Sequence, residues 1–78
     1  MDDVLADGNY RGWSYVICAT RSGAQAEWTV YIEGIADPAG DPRQDMADVG
    51  GSFASSDEAI ATAHSFMHSF IDAAQGQD

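Results

Sequence analysis

Lysine is absent from this 78-residue chain, and its basic residues, Arg11, Arg21 and Arg43, face thirteen acids, giving a formal charge of -10. A nucleic-acid binder neutralises phosphates with Lys and Arg, so the composition argues against DNA or RNA as a partner, and equally against an anionic membrane surface. The charge serves solubility in its ordinary role and attraction to a basic partner in a sharper one. Cysteine is nearly absent as well: Cys18 stands alone, so no internal disulfide and no CxxC metal site can form. No apolar run approaches the roughly 18 residues that span a bilayer. Met1-Asp2-Asp3 lacks the basic and apolar regions of a secretory signal, so the expected location is cytoplasmic.

What is present suffices for one compact domain: 45% of the residues are hydrophobic, including two Trp, three Tyr and three Phe. Residues 1–11 combine acids with the turn signal Asp7-Gly8-Asn9 and are expected to be frayed or irregular. "GWSYVICATR" and "AEWTVYIEG" are rich in aromatic and β-branched residues and read as strands. A two-residue type II′ turn at Gly23-Ala24 would pair Ala19 with Trp28, Ile17 with Val30 and Tyr15 with Ile32 on one apolar face that also holds Trp13. Ser14, Val16, Cys18 and Thr20 then share the other face with Glu27, Thr29, Tyr31 and Glu33.

"IADPAGDPRQD", residues 35–45, carries two Asp-Pro steps and reads as a long acidic loop. "MADVGGSFA" follows as a weak third strand, with Ala47, Val49 and Phe53 facing the core and Gly50-Gly51 marking a bend. From Ser55 the pattern is helical. Ser55 and Glu58 have capping-box spacing, and Gly76 stands where a C′ glycine ends a helix, which places it over about residues 56–75. At roughly 100° per residue, Ala59, Ile60, Ala63, Phe66, Met67, Phe70, Ile71 and Ala74 share one arc, and Thr62, Ser65, Ser69 and Asp72 point away. The expected fold is α+β: a three-stranded antiparallel sheet with one C-terminal amphipathic helix on its apolar face.

Few residues carry chemistry. His64 and His68 are four apart on the helix flank, close enough to share Zn²⁺, Ni²⁺ or Cu²⁺, but two ligands make a weak site. Asp72 lies about 12 Å along the axis from His64, too far to complete it. Ser65 stands where an HExxH helix has its Glu, which removes the general base of that chemistry. Cys18 falls on the sheet face opposite both histidines, so no Cys-His dyad forms. Ser52 in "GGSFA" lacks the second glycine of a nucleophile elbow and reads as a linker residue. Asp37, Asp41, Asp45 and Asp48 are hard oxygen donors without EF-hand spacing. No cofactor is expected, and no enzymatic activity.

The second sheet face holds more. Val16, Cys18, Thr29 and Tyr31 would form a strip covered by no expected element, a candidate for partner binding or weak homodimerisation. Edge strands offer a second route to dimers.

The strand, the glycine pair, "FASSDEAIATA" and a helix with "FID" near its end resemble small uncharacterised proteins of proteobacterial genomes, Burkholderia-like ones in particular, with a β-β-β-α layout. The resemblance covers roughly Trp13 to Ala74 and implies that fold and no activity. A double-stranded-RNA-binding domain also ends in β-β-β-α, but this chain has no room for its first helix and no basic helix start. The expectation is therefore a noncatalytic acidic protein acting through protein contacts. The alternative is an acidic inhibitor, an immunity protein or nucleic-acid mimic, that presents Asp37, Asp41, Asp45 and Asp48 to a basic target.

Overall fold

In the computed structural model, which describes residues 2–75 and only the backbone of residues 43–45, the chain runs β1 (Asp2–Tyr10), β2 (Trp13–Arg21), β3 (Thr29–Ala36), β4 (Pro42–Asp48) and α1 (Ser56–Gln75). The strands form one antiparallel sheet in the order β1-β2-β3-β4. The fold class is α+β with a C-terminal helix, as the pattern indicates, but the sheet has four strands rather than three.

The additional strand lies where an irregular start was expected. Arg11 and Gly12 both have positive φ, 53° and 86°. That is the type I′ geometry whose twist suits a two-residue hairpin. It pairs Tyr10 with Trp13, and the register then runs without interruption to Asp2 and Arg21. Asp, Gly and Asn are depleted in strands generally, which is why this segment looks unlike one. At a sheet edge the acids serve a purpose, since charges discourage pairing with another chain.

The acidic loop is correspondingly shorter. Ile35 and Ala36 belong to β3, and Pro42 opens β4, so only residues 37–41 connect them. Proline is tolerated there because β4 begins at that residue and lies at the sheet edge. Asp37 closes the connection: its Oδ1 accepts N–H bonds from Ala39 and Asp41, each at 3.0 Å, and its carbonyl accepts from Gly40 at 2.8 Å. Of the segment read as a third strand, only Met46–Asp48 is in β4. Gly50 and Gly51 do bend the chain, with positive φ, and Phe53 forms an isolated bridge to Trp28.

The β2–β3 register also differs. Ala19 faces Val30 and Ile17 faces Ile32, a shift of two residues from the expected pairing. The connection is longer than a two-residue turn: Ala26 N–H donates to the Gly23 carbonyl, and Trp28 pairs with Phe53 instead of Ala19. Side chains alternate with period two, so a two-residue slip leaves every residue on its expected face. Gly34, at φ 63°, supplies a bulge: Val16 opposes Glu33 while Ser14 opposes Ala36, leaving Gly34 and Ile35 opposite Tyr15. Ile35 thereby joins the core.

One face of the sheet buries Trp13, Tyr15, Ile17, Ala19, Val30, Ile32, Ile35 and Ala47 against Ala59, Ala63, Met67 and Ile71 of α1. Val49, Phe53, Ile60, Phe66 and Phe70 pack around them, whereas Ala74 is exposed. At the helix start Ser55 Oγ accepts from Glu58 N–H at 3.2 Å, and the Glu58 carboxylate accepts from Ala54 N–H at 3.3 Å. Gly76, the expected stop, lies outside the described residues. The helix rests chiefly over β1, β2 and β3, and Ala47 of β4 also belongs to the core beneath it. No described helix is long and apolar enough to cross a membrane.

Candidate functional site

Directly opposed side chains on neighbouring strands share a face. Leu5, Cys18, Tyr31 and Asp48 therefore form one row across the whole sheet, on the side away from α1. Asp7, Val16, Glu33 and Met46 form the next row, and Asp3, Thr20 and Thr29 lie on the other side of the first. The expected strip of Val16, Cys18, Thr29 and Tyr31 is thus brought together, and Asp48 joins it. Leu5 and Met46 enlarge it and stand 68% and 58% exposed. The acids Asp3, Asp7, Glu33 and Asp48 are set among these apolar groups, and no basic residue occupies the three rows.

The arginines with described side chains are engaged elsewhere. Arg11 meets Asp72 at 2.9 Å, and Arg21 meets Asp2 at 2.6 Å while its guanidinium lies 4.8 Å from the Trp28 ring centre. Among the described side chains, the open face consequently sets acids and no base around an apolar centre.

Cys18 lies deepest, only 3% exposed, and its thiol donates to Glu33 Oε1 at 3.5 Å. Burial pushes the thiol up from its ordinary value; a hydrogen bond from Tyr31 opposes this, and Glu33 and Asp3 add to it. The Tyr31 phenol is raised in turn, first by that hydrogen bond to Cys18. A protonated, enclosed thiol is a poor nucleophile. Cys18 is a floor beneath Leu5 and Tyr31.

The other acids proposed from sequence do not assemble with this face as a set. Asp37 is 9% exposed, with its carboxylate turned into its own loop. Asp41 is exposed at the opposite end of β4 from Asp48. The Asp45 side chain lies outside the described residues.

The histidines are divided between two tyrosines. His64 Nδ1 lies 3.0 Å from the Tyr15 hydroxyl, and the His68 ring stacks on Tyr10 at 4.0 Å and 19°. Tyr10 donates to the Asp72 carboxylate at 3.0 Å, next to the Arg11 contact. This row fastens the helix flank to the β1–β2 hairpin. Among the described residues no three His, Cys, Asp or Glu side chains cluster as metal ligands.

Leu5, Asp3 and Asp7 were not recognisable while residues 1–11 were read as irregular, and Met46, read at the start of a weak third strand, was not placed beside Val16 and Tyr31 until its pairing with Glu33 was known. The signal was present in "VLADGNY": Val4, Ala6, Gly8 and Tyr10 alternate and face Ala19, Ile17, Tyr15 and Trp13 once the turn is placed at Arg11-Gly12.

Fold and face together define a two-layer α+β module with one sheet face covered by a helix and the other open, apolar and acidic. Comparisons with protein-family models, curated proteins and solved structures find no match for this chain.

Proposed function

We propose that this chain is a noncatalytic binding module whose open sheet face docks a basic protein through an apolar anchor. The observation that carries the reading is the placement of Leu5, Tyr31 and Met46 among Asp3, Asp7, Glu33 and Asp48 on one face. Apolar groups left in water favour burial by a partner, and the surrounding carboxylates select its sign. A second copy is a poor occupant, because stacking two such faces brings like charges together on chains that each carry -10. The partner has Lys or Arg around an apolar or aromatic side chain that fills the space between Leu5 and Met46.

The acidic-inhibitor reading ranks second. It shares the basic target but relies on the loop acids, and Asp37 is committed to closing its own loop.

The test is affinity capture from the host lysate at about 0.05 and 0.5 M salt, where the screening length falls from roughly 14 to 4 Å. The expected result is one basic protein, lost at least tenfold with Leu5→Asp or Tyr31→Ala at both salt concentrations. Asp3→Asn/Asp7→Asn/Asp48→Asn should weaken capture chiefly at low salt. A partner released by salt alone and indifferent to Leu5→Asp and Tyr31→Ala would favour the inhibitor reading.

A further inference from the structure

β1 is an edge strand of the sheet, and it lacks most of what usually guards an edge. Natural edges are blunted by shortness, proline, bulges or charge. β1 runs nine residues, contains no proline, and pairs with β2 without interruption from Asp2 to Tyr10. Its end is fastened to α1, where Tyr10 stacks on His68 and donates to Asp72. An edge strand turns alternate N–H and C=O groups away from its neighbour, and among the described residues none bonds to the outward backbone of β1. What guards this edge is charge of one sign. Asp3, Leu5 and Asp7 alternate along its open-face side, all exposed, and neither acid has a hydrogen bond or ion pair among the described residues.

We propose that β1 accepts an extended basic segment of a partner protein as an additional strand. Acids along an edge refuse a second acidic chain and favour a basic one. The register fixes the pattern of the segment. On the open face an apolar residue beside Leu5 continues the row of Leu5, Cys18 and Tyr31, and Lys or Arg two positions to either side lies beside Asp3 and Asp7. The two residues between them point to the helix side, beside Ala6 and the part-exposed Val4, where apolar groups are complementary. The occupant is thus a basic-apolar-apolar-apolar-basic strand. A second copy is a poor occupant, because antiparallel pairing that sets Leu5 against its counterpart sets each Asp3 against the other chain's Asp7. The inference deepens the proposed function, on which it rests for the sign of the partner's charge; the regular edge is independent of it.

The probe is the acetylated and amidated peptide Thr-Thr-Lys-Val-Leu-Val-Lys-Thr-Thr, titrated into the full chain at low salt while backbone amide NMR signals and hydrogen exchange are followed. The expected result is saturable shifts centred on Leu5, with the outward-pointing amides of β1 exchanging at least tenfold more slowly. Two N-methylated peptides carry their methyl groups on opposite sets of alternate amides. One set faces β1 and the other faces solvent, so one peptide should lose binding and the other should keep it. Replacing both Lys by Glu in the peptide, or Asp3→Asn/Asp7→Asn in the protein, should weaken binding at least tenfold.

Shifts confined to Val16, Tyr31 and Met46 with β1 exchange unchanged would overturn the strand addition while leaving the open-face reading intact. Equal binding of the two N-methylated peptides, or no shift at millimolar peptide, would also overturn it. So would slowed β1 exchange that appears without peptide as the protein is concentrated, which would identify a second copy as the occupant. Peptide binding along β1 together with partner capture indifferent to Tyr31→Ala would support the edge site and overturn the open-face reading instead.

Discussion

Gly8 shows how a single missing side chain organises this protein. A Cβ built at Gly8 would lie 2.1 Å from Tyr15 Cε2, so the tyrosine ring occupies the space a larger residue would take. The same ring places its hydroxyl 3.0 Å from His64, which connects β1, β2 and α1 through one residue. Gly8→Ala should displace a buried ring and cost about 1–3 kcal/mol, the usual range for overpacking. Urea denaturation measures the loss. In a Tyr15→Leu background the same substitution should cost much less, because the obstructing ring is gone; an unchanged cost would place the strain elsewhere. Tyr15→Phe retains the ring and loses only its hydrogen bond, with an expected cost of about 1 kcal/mol.

Two short signals control the elements. The helix begins at Ser56 because Ser55 Oγ accepts the Glu58 N–H, one of the donors that an α-helix leaves without a partner at its start. Ser55→Ala should therefore lower stability by about 1 kcal/mol in denaturant unfolding, and Ser55→Asp should retain most of it. The first hairpin depends on Arg11 and Gly12 at positive φ. Gly12→Ala meets both the unfavourable backbone and Pro38 side-chain atoms 3.1 Å from the new Cβ, so a loss of about 1–2 kcal/mol is expected. Chemical shifts of β1 would report whether its pairing with β2 loosens first. The Arg11 to Asp72 contact is half-exposed at both ends, and removing it with Asp72→Asn should cost under about 1 kcal/mol.

At the scale of the whole molecule, pH acts in one direction at the alkaline end. Cys18, Tyr10, Tyr15 and Tyr31 are all raised from ordinary values of 9.0 for the thiol and 10.0 for the phenols. Burial is the first cause for Cys18 and Tyr15, the hydrogen bond to Asp72 for Tyr10, and the hydrogen bond to Cys18 for Tyr31. In this range the folded chain holds more protons than the unfolded chain, so stability falls as pH rises. The contribution is complete below pH 9.0 and is lost progressively through the raised values above it. Thermal unfolding followed from pH 8 to 11 should show Tm constant at first and then declining, and the Tyr15→Phe/Cys18→Ala variant should decline less steeply. A Tm that rose with alkalinity would contradict these environments.

The alternation of apolar residues in "GWSYVICATR" and "AEWTVYIEG" determined which side chains face the helix, and the Ser55 to Glu58 signal with its apolar arc determined α1 almost to its ends. Those features are local: they depend on strand and helix periodicity, and a two-residue slip in register leaves every facing residue unchanged. Strand number was different. β1 and β4 contain Asp, Gly, Asn and Pro, which local preference assigns to loops, and they become strands because a neighbour supplies hydrogen bonds and a place at the edge. The candidate surface follows the same division. Val16, Cys18, Thr29 and Tyr31 were legible together from alternation within two strands. Leu5, Met46, Asp3 and Asp7 joined them only through pairing between distant segments, which also withdrew Asp37 into its loop. Sequence thus settled most of the inward-facing residues of β2, β3 and α1, with Ile35 and Ala74 as exceptions, and tertiary pairing decided which outward residues meet, because a surface is assembled across strands while a pattern is written along one.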